Sequence, residues 1–234
     1  MDSETAKSLY HRYKDSVAYV AVESATGDQQ IGSAFHLGEG IWVTARHVVE
    51  NQTILEVGVD LRTFHVVGPP LLHPDNSVDV ALLRLSSPVP NDEIPAVELG
   101  GWLDDWLDDG LTLEPVLVLG YPPIPFGQEP RLVATRAEVS TVLDKRGGGH
   151  PYFILTGMAR GGVSGALALT DHELALGVTV ESLVSAPHPA ELGYLAVLSV
   201  EAIYTCLDHH GVLPRIQAMP GIFEPSDPGG PAEA

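Results

Sequence analysis

Cysteine is almost missing from this chain. Its 234 residues include one, Cys206, so no disulfide can form within it. A chain without cross-links must be held together by burial of apolar surface, and the pattern suits a reducing, cytoplasmic setting. Basic residues are scarce as well: 12 Lys and Arg face 31 Asp and Glu, a formal net charge of −19. No basic patch is evident to neutralise phosphates, which argues against nucleic acid as a partner. Anionic membrane surfaces are disfavoured for the same reason. Basic partners or basic substrate segments would be attracted at long range. There is no apolar run long enough to span a bilayer. The opening residues Met1 to Lys7 lack the basic start and apolar core of a secretory signal. The histidines are scattered without metal-ligand spacing, so neither a metal nor another cofactor is expected.

What the chain does have is glycine and proline, 24 and 19 residues. Such a content favours many turns and short strands over long helices. A hydrophobic fraction of 44% with 18% charged residues is that of a globular protein. The length fits one two-lobed domain or two small ones.

Along the chain, residues 1–15 are polar with Leu9, Tyr10 and Tyr13 on one side, which predicts a short amphipathic helix or arm. Residues 16–90 read as a first lobe of short alternating strands, with a helical turn at Arg46 to Val49 and a strongly apolar strand, Val80 to Leu85, opened by Asp79. Residues 91–114 read as a linker. It contains the near-repeat Trp102-Leu103-Asp104-Asp105-Trp106-Leu107-Asp108-Asp109. On a helix the Trp and Leu pairs would form one stripe. That is either a docking or cation site or a solvated turn whose tryptophans pack on a lobe, and the second reading is favoured. Residues 115–213 read as a second lobe of strands, with Lys145 to Gly149 at a mobile hairpin end. It ends in a helix over Val200 to His209, N-capped by Ser199 and stopped by Gly211. Cys206 falls inside that helix, where a buried inert thiol is expected. Residues 214–234, rich in Pro, Gly and acids, read as a flexible tail.

One stretch carries chemistry: Gly157-Met158-Ala159-Arg160-Gly161-Gly162-Val163-Ser164-Gly165. A serine on a glycine-rich turn can present its hydroxyl outward while neighbouring N–H groups converge on one small space. That arrangement can attack a carbonyl and hold the oxyanion formed. A hydroxyl nucleophile also needs a base and an orienter for that base. His47, in Thr44-Ala45-Arg46-His47-Val48-Val49, and Asp79, before its apolar strand, supply the residue types. Each alone is more often structural. Together they occur in the order His, Asp, Ser, separated by 32 and 85 residues.

These pieces resemble a trypsin-like (chymotrypsin-fold) serine peptidase of the short bacterial type without disulfides. The matching segments are Gly32 to Leu37, Thr44 to His47, Asp79 to Leu83, Leu119-Gly120-Tyr121-Pro122, Gly162 to Gly165 and Gly177 to Val180, within roughly residues 16–210. The resemblance implies an all-β fold of two six-stranded antiparallel β-barrels with a C-terminal helix. It implies a serine endopeptidase that forms an acyl-enzyme. Ser164 would be nucleophile, His47 general base and acid, and Asp79 the orienter. Gly162 and Ser164 would supply the oxyanion N–H pair. Met158 and Ala159 would sit at the specificity pocket, and Val180, Glu181 and Ser182 on the substrate-pairing strand. Neutral Met158 predicts cleavage after an apolar or small residue, although Glu181 could attract a basic one. Val163 replaces the family's zymogen-pairing Asp, so no cleavage-driven switch is expected by that route. Protein or peptide is the expected substrate. By analogy with bacterial effector proteases, the target is a dedicated one and a regulatory partner gates activity. The alternative is a non-catalytic peptide-binding module on the same fold. An esterase or acyl transferase of another fold is disfavoured, because β-rich sequence rather than a helix follows the serine.

Overall fold

The polar N-terminal stretch folds as the expected helix. The computed structural model describes residues 1–60, 62–86, 94–100, 111–124, 129–143, 149–156, 163–180 and 194–218. Helix α1 (Ser3–Tyr13) begins at Asp2, whose carboxylate accepts from the Thr5 N–H at 2.8 Å, and it buries Ala6, Leu9 and Tyr13. Its last turn is tied to the second half of the chain. Arg12 pairs with Glu173 at 2.6 Å, and the Tyr13 hydroxyl donates to the same carboxylate at 3.1 Å. Burial first, and the Glu173 charge second, push the Tyr13 pKa up to about 12.

The first lobe is built from β1 (Val17–Glu23), β2 (Gln29–Gly38), β3 (Ile41–Thr44), β4 (Thr53–Val59), β5 (Arg62–Val66), a two-residue β6 (Leu71–Leu72) and β7 (Ala81–Ser86). A short helix, α2 (Arg46–Val49), follows β3 directly. The order β3-β2-β1-β4-β5-β7 closes on itself through the β3–β7 pairing, giving a six-stranded antiparallel barrel with β6 added along β7. The second lobe uses β9 (Pro115–Gly120), β10 (Val133–Leu143), β11 (Tyr152–Thr156), β12 (Leu167–Thr170), β13 (Leu174–Val180) and β14 (Tyr194–Ser199). Here the order β12-β9-β10-β11-β14-β13 closes through β12–β13. A further two-residue strand, β8 (Glu98–Leu99), joins β13 in parallel. The two-barrel expectation therefore holds. The additions β6 and β8 were not anticipated, because two residues are too few to show a strand period.

Closure abolishes sheet edges, which otherwise need protection, and leaves each strand one face for its own barrel. β10 alternates, with Ala137 and Val139 inward and charged neighbours outward. β2 does not alternate: Gly32 to Gly38 is buried on both faces. One face lines the first barrel, and the other lies under α2 and the second lobe. Tyr121, just past β9, makes that inter-lobe contact. Its N–H donates to Ser33 Oγ at 2.9 Å, and its ring packs edge-on against Tyr19. One buried apolar cluster runs through both barrels.

Helix α3 (Val200–His209) follows β14, as expected, and Gly211 turns the chain with φ +60. Ser199 occupies the N-cap position in an extended conformation, but its side chain makes no capping hydrogen bond; it is the last residue of β14 and points into buried space. The helix also holds the first lobe. His210 Nε2 donates to Leu72 O at 2.8 Å, and Cys206 Sγ lies 3.7 Å from Leu71 O. Burial pushes the Cys206 thiol up to about 12, so it stays protonated and inert. The stretch after Pro214 starts as fixed structure rather than as tail. Arg215–Gln217 forms a 3-10 turn. The buried Gln217 side chain donates to Leu37 O and Val97 O and accepts from the Leu99 N–H.

Candidate active site

His47 and Asp79 meet at the mouth of the first barrel. β3 ends at Thr44, and α2 lifts His47 off the strand end. Gly32 on β2 makes room for this helix: a Cβ there would sit 2.5 Å from Val48 Cγ1. Asp79 comes from the turn before β7. The sequence reading opened the strand at Asp79, but Asp79 and Val80 precede it. Val80 O instead accepts from the His73 N–H at 3.1 Å, closing a loop that ends at the carboxylate.

The carboxylate grips the histidine twice. Asp79 Oδ1 accepts the His47 backbone N–H at 2.9 Å, and Oδ2 accepts Nδ1 at 2.7 Å. A carboxylate at Nδ1 places the proton there in the neutral ring, leaving Nε2 with the lone pair. Burial raises the Asp79 carboxyl, but the hydrogen bond and charge of His47 and the backbone N–H groups of His47 and Arg46 outweigh it. Its pKa falls below the ordinary 3.8, so the group is ionised at neutral pH.

Ser164 is brought to the same region through the backbone. Its carbonyl accepts the Ser33 N–H at 2.8 Å, and Ser33 O in turn accepts Thr44 Oγ1 at 2.7 Å. Thr44 lies three residues before His47, so a continuous hydrogen-bonded path joins the serine turn to the end of the histidine's strand. Gly165 makes the approach feasible. Its φ is +84, and a Cβ would lie 1.9 Å from Ser33 O and 2.6 Å from Thr44 Oγ1. On the other side, Gly165 N–H donates to Thr179 O at 2.8 Å and Ala166 N–H to Thr179 Oγ1 at 2.8 Å, while the Thr179 hydroxyl donates to Val163 O. The serine itself is half-buried.

Of the remaining expected site residues, Val180 ends β13 and is buried. Gly162, Met158, Ala159, Glu181 and Ser182 lie outside the described residues, as do the Trp102 to Asp109 repeat, Lys145 to Gly148 and residues 219–234. Ser33, Thr44 and Thr179 were missed as scaffold residues. All three stand in the motif segments, but nothing in the sequence pairs them. Among the described residues, Glu114, Asp171 and His172 bring one potential ligand atom each within 4.8 Å of one another. Burial first and the Asp171 charge second raise the Glu114 carboxyl.

Residues 32–178 match the model of the trypsin-like peptidase domain, and the chain belongs to that family. No curated protein matches it. Solved structures share the fold. The active form of the Rv3671c protease from M. tuberculosis aligns with TM-score 0.67 at 19% identity, over 88% of this chain and 86% of that one. The inactive form of the same protease gives 0.64 at 20%, over 90% and 96%. The HtrA-type protease AlgW with tripeptide gives 0.65 at 19%, over 88% of this chain and 64% of that one.

Proposed function

We propose that the chain is a serine endopeptidase in which Ser164 Oγ attacks a peptide carbonyl. His47 Nε2 takes the hydroxyl proton and later delivers it to the leaving amine. Asp79 fixes the ring and stabilises the imidazolium. The backbone N–H groups of Gly162 and Ser164 receive the oxyanion, and the acyl-enzyme is then hydrolysed by water. The observation carrying this reading is the double hold of Asp79 on His47, at 2.9 and 2.7 Å, which selects the tautomer a general base needs. Membership of a peptidase family and the hydrogen-bonded path from Ser164 to Thr44 support it.

Substrate would pair along Val180, Glu181 and Ser182, with its side chain received at neutral Met158 and Ala159; cleavage after an apolar or small residue follows. A dedicated protein target, a gating partner and a reducing, cytoplasmic compartment complete the proposal, the last on the strength of the single, buried Cys206.

A fluorophosphonate probe tests the chemistry. It should label the wild type at Ser164 and leave Ser164→Ala unlabelled. An unlabelled wild type that still binds peptides would make the chain a binding module on this fold. Peptide-library profiling tests the pocket, and a strong preference for Arg or Lys would overturn the neutral assignment.

A further inference from the structure

Arg46 precedes His47 and is buried, at 7% exposure. A buried guanidinium is costly unless nearly every donor is matched. Its partners are distinctive. NH1 donates to His73 O at 3.2 Å and reaches Asp75 O at 3.5 Å. NH2 donates to Asn76 Oδ1 at 3.0 Å and to Glu50 Oε1 at 2.6 Å. Three of the four acceptors belong to the loop that delivers Asp79. The fourth, Glu50, caps the helix that carries His47.

The rest of that loop is braced from within. Ser77 N–H donates to Asp75 Oδ1 at 2.8 Å, Val78 N–H to Asp75 O at 3.1 Å, and Asp75 N–H to His73 Nδ1 at 3.1 Å. Arg46 therefore binds the loop that leads into Asp79, whose carboxylate sits against the imidazole of His47. It does so from the residue adjoining that imidazole.

We propose that Arg46 is a positioning residue for the proposed reaction: its planar fork locks the 73–76 loop to α2 and so holds Asp79 in register with His47. Lysine is a poor substitute, because a single ammonium cannot address divergent acceptors in one plane. The proposal rests on the serine-hydrolase reading for its effect on rate, but the geometry it asserts can be measured without catalysis.

The test compares second-order fluorophosphonate labelling rates of full-length variants, beside their melting temperatures and the His47 Nδ1–H proton resonance. Arg46→Met should label about a hundredfold more slowly, the scale of a small misplacement in a catalytic group, and should lose the Nδ1–H signal. In an Asp79→Asn background, Arg46→Met should cause no further loss of rate, since a residue acting through Asp79 has nothing left to position. Asn76→Ala, on the exposed loop, removes one of the four contacts with little risk to folding. It should slow labelling several-fold at an unchanged melting temperature, and that result carries the proposal if Arg46→Met does not fold. Wild-type labelling rates in both Arg46→Met and Asn76→Ala would overturn it, as would an equal Arg46→Met loss in the Asp79→Asn background. If the wild type does not label at all, the hydrolase reading fails. Disappearance of the Nδ1–H signal in Arg46→Met would still support the positioning role, and an unchanged signal would overturn it.

Discussion

The two halves of the candidate site are held by different means. On the first barrel, His47 and Asp79 are fixed by side chains: a carboxylate gripping an imidazole, and a guanidinium gripping the loop beneath. On the second, the Ser164 turn is held through its own backbone groups, with the Thr179 side-chain hydroxyl bracing it. Its carbonyl, its glycine at positive φ and its contacts with Ser33 and Thr179 set where it lies. Side-chain control tunes proton affinity and tautomer, and removing one partner costs rate more than stability. Backbone control fixes position through steric exclusion, and it fails abruptly when a Cβ intrudes.

Asp79→Asn attacks the first half most directly. The site should keep its shape but favour the wrong tautomer, with a fall of about ten-thousandfold in reaction rate and a small change in melting temperature. Active-site labelling beside calorimetry reads both. A large loss of stability at near-normal rate would reverse the assignment.

Gly165→Ala attacks the second half. Positive φ alone costs on the order of 1–3 kcal/mol for a residue with a side chain, and the Cβ would also meet the Ser33 carbonyl. The expected result is a fall in stability of roughly 3 kcal/mol or more, seen in denaturant unfolding, with labelling lost even in folded protein. Full stability in this variant would mean the turn is placed some other way.

Thr44→Val sharpens the comparison, because it cuts the joint between the halves. The buried Ser33 carbonyl loses a donor while volume is kept. The cost should be about 1–3 kcal/mol, with labelling slowed less than in Asp79→Asn.

The smallest effect is a pH response of the first barrel. Burial holds the pKa of His36, and to the same sign that of His73, below the ordinary 6.5. Neutral rings are thus favoured in the folded state, and the unfolded chain binds more protons. Their contribution to stability is complete above about pH 6.5 and is lost as pH falls from there through the folded values. The Asp79 contribution persists lower, disappearing only as pH drops below 3.8 through its depressed value. Melting temperature should decline between pH 7 and 5. His36→Asn, whose amide can still donate to Pro95 O as His36 Nδ1 does at 3.2 Å, should flatten that decline.

Much of this was legible in residue order. The short β-rich runs of β1 to β5 between turn residues, the apolar β7 behind Asp79, the helix after β14 and the glycines around Ser164 announce themselves locally, because strand propensity, turn chemistry and apolar runs are short-range signals. The burial of β2 on both faces was hidden. So were the reach of α3 to Leu72, the role of Gln217 and the four partners of Arg46. Each depends on a contact between segments tens of residues apart, for which a single sequence carries no pairing information.

The sequence by itself therefore determined the local alphabet: short strands, no cross-links, an imidazole, a carboxylate and a hydroxyl each on a suitable turn. Only the tertiary structure decided that Asp79 reaches both nitrogens of His47 that face it, and that Ser33 and Thr44 bridge to the serine turn. The reason is physical: hydrogen bonds and burial act through space, and barrel closure selects which distant residues share that space.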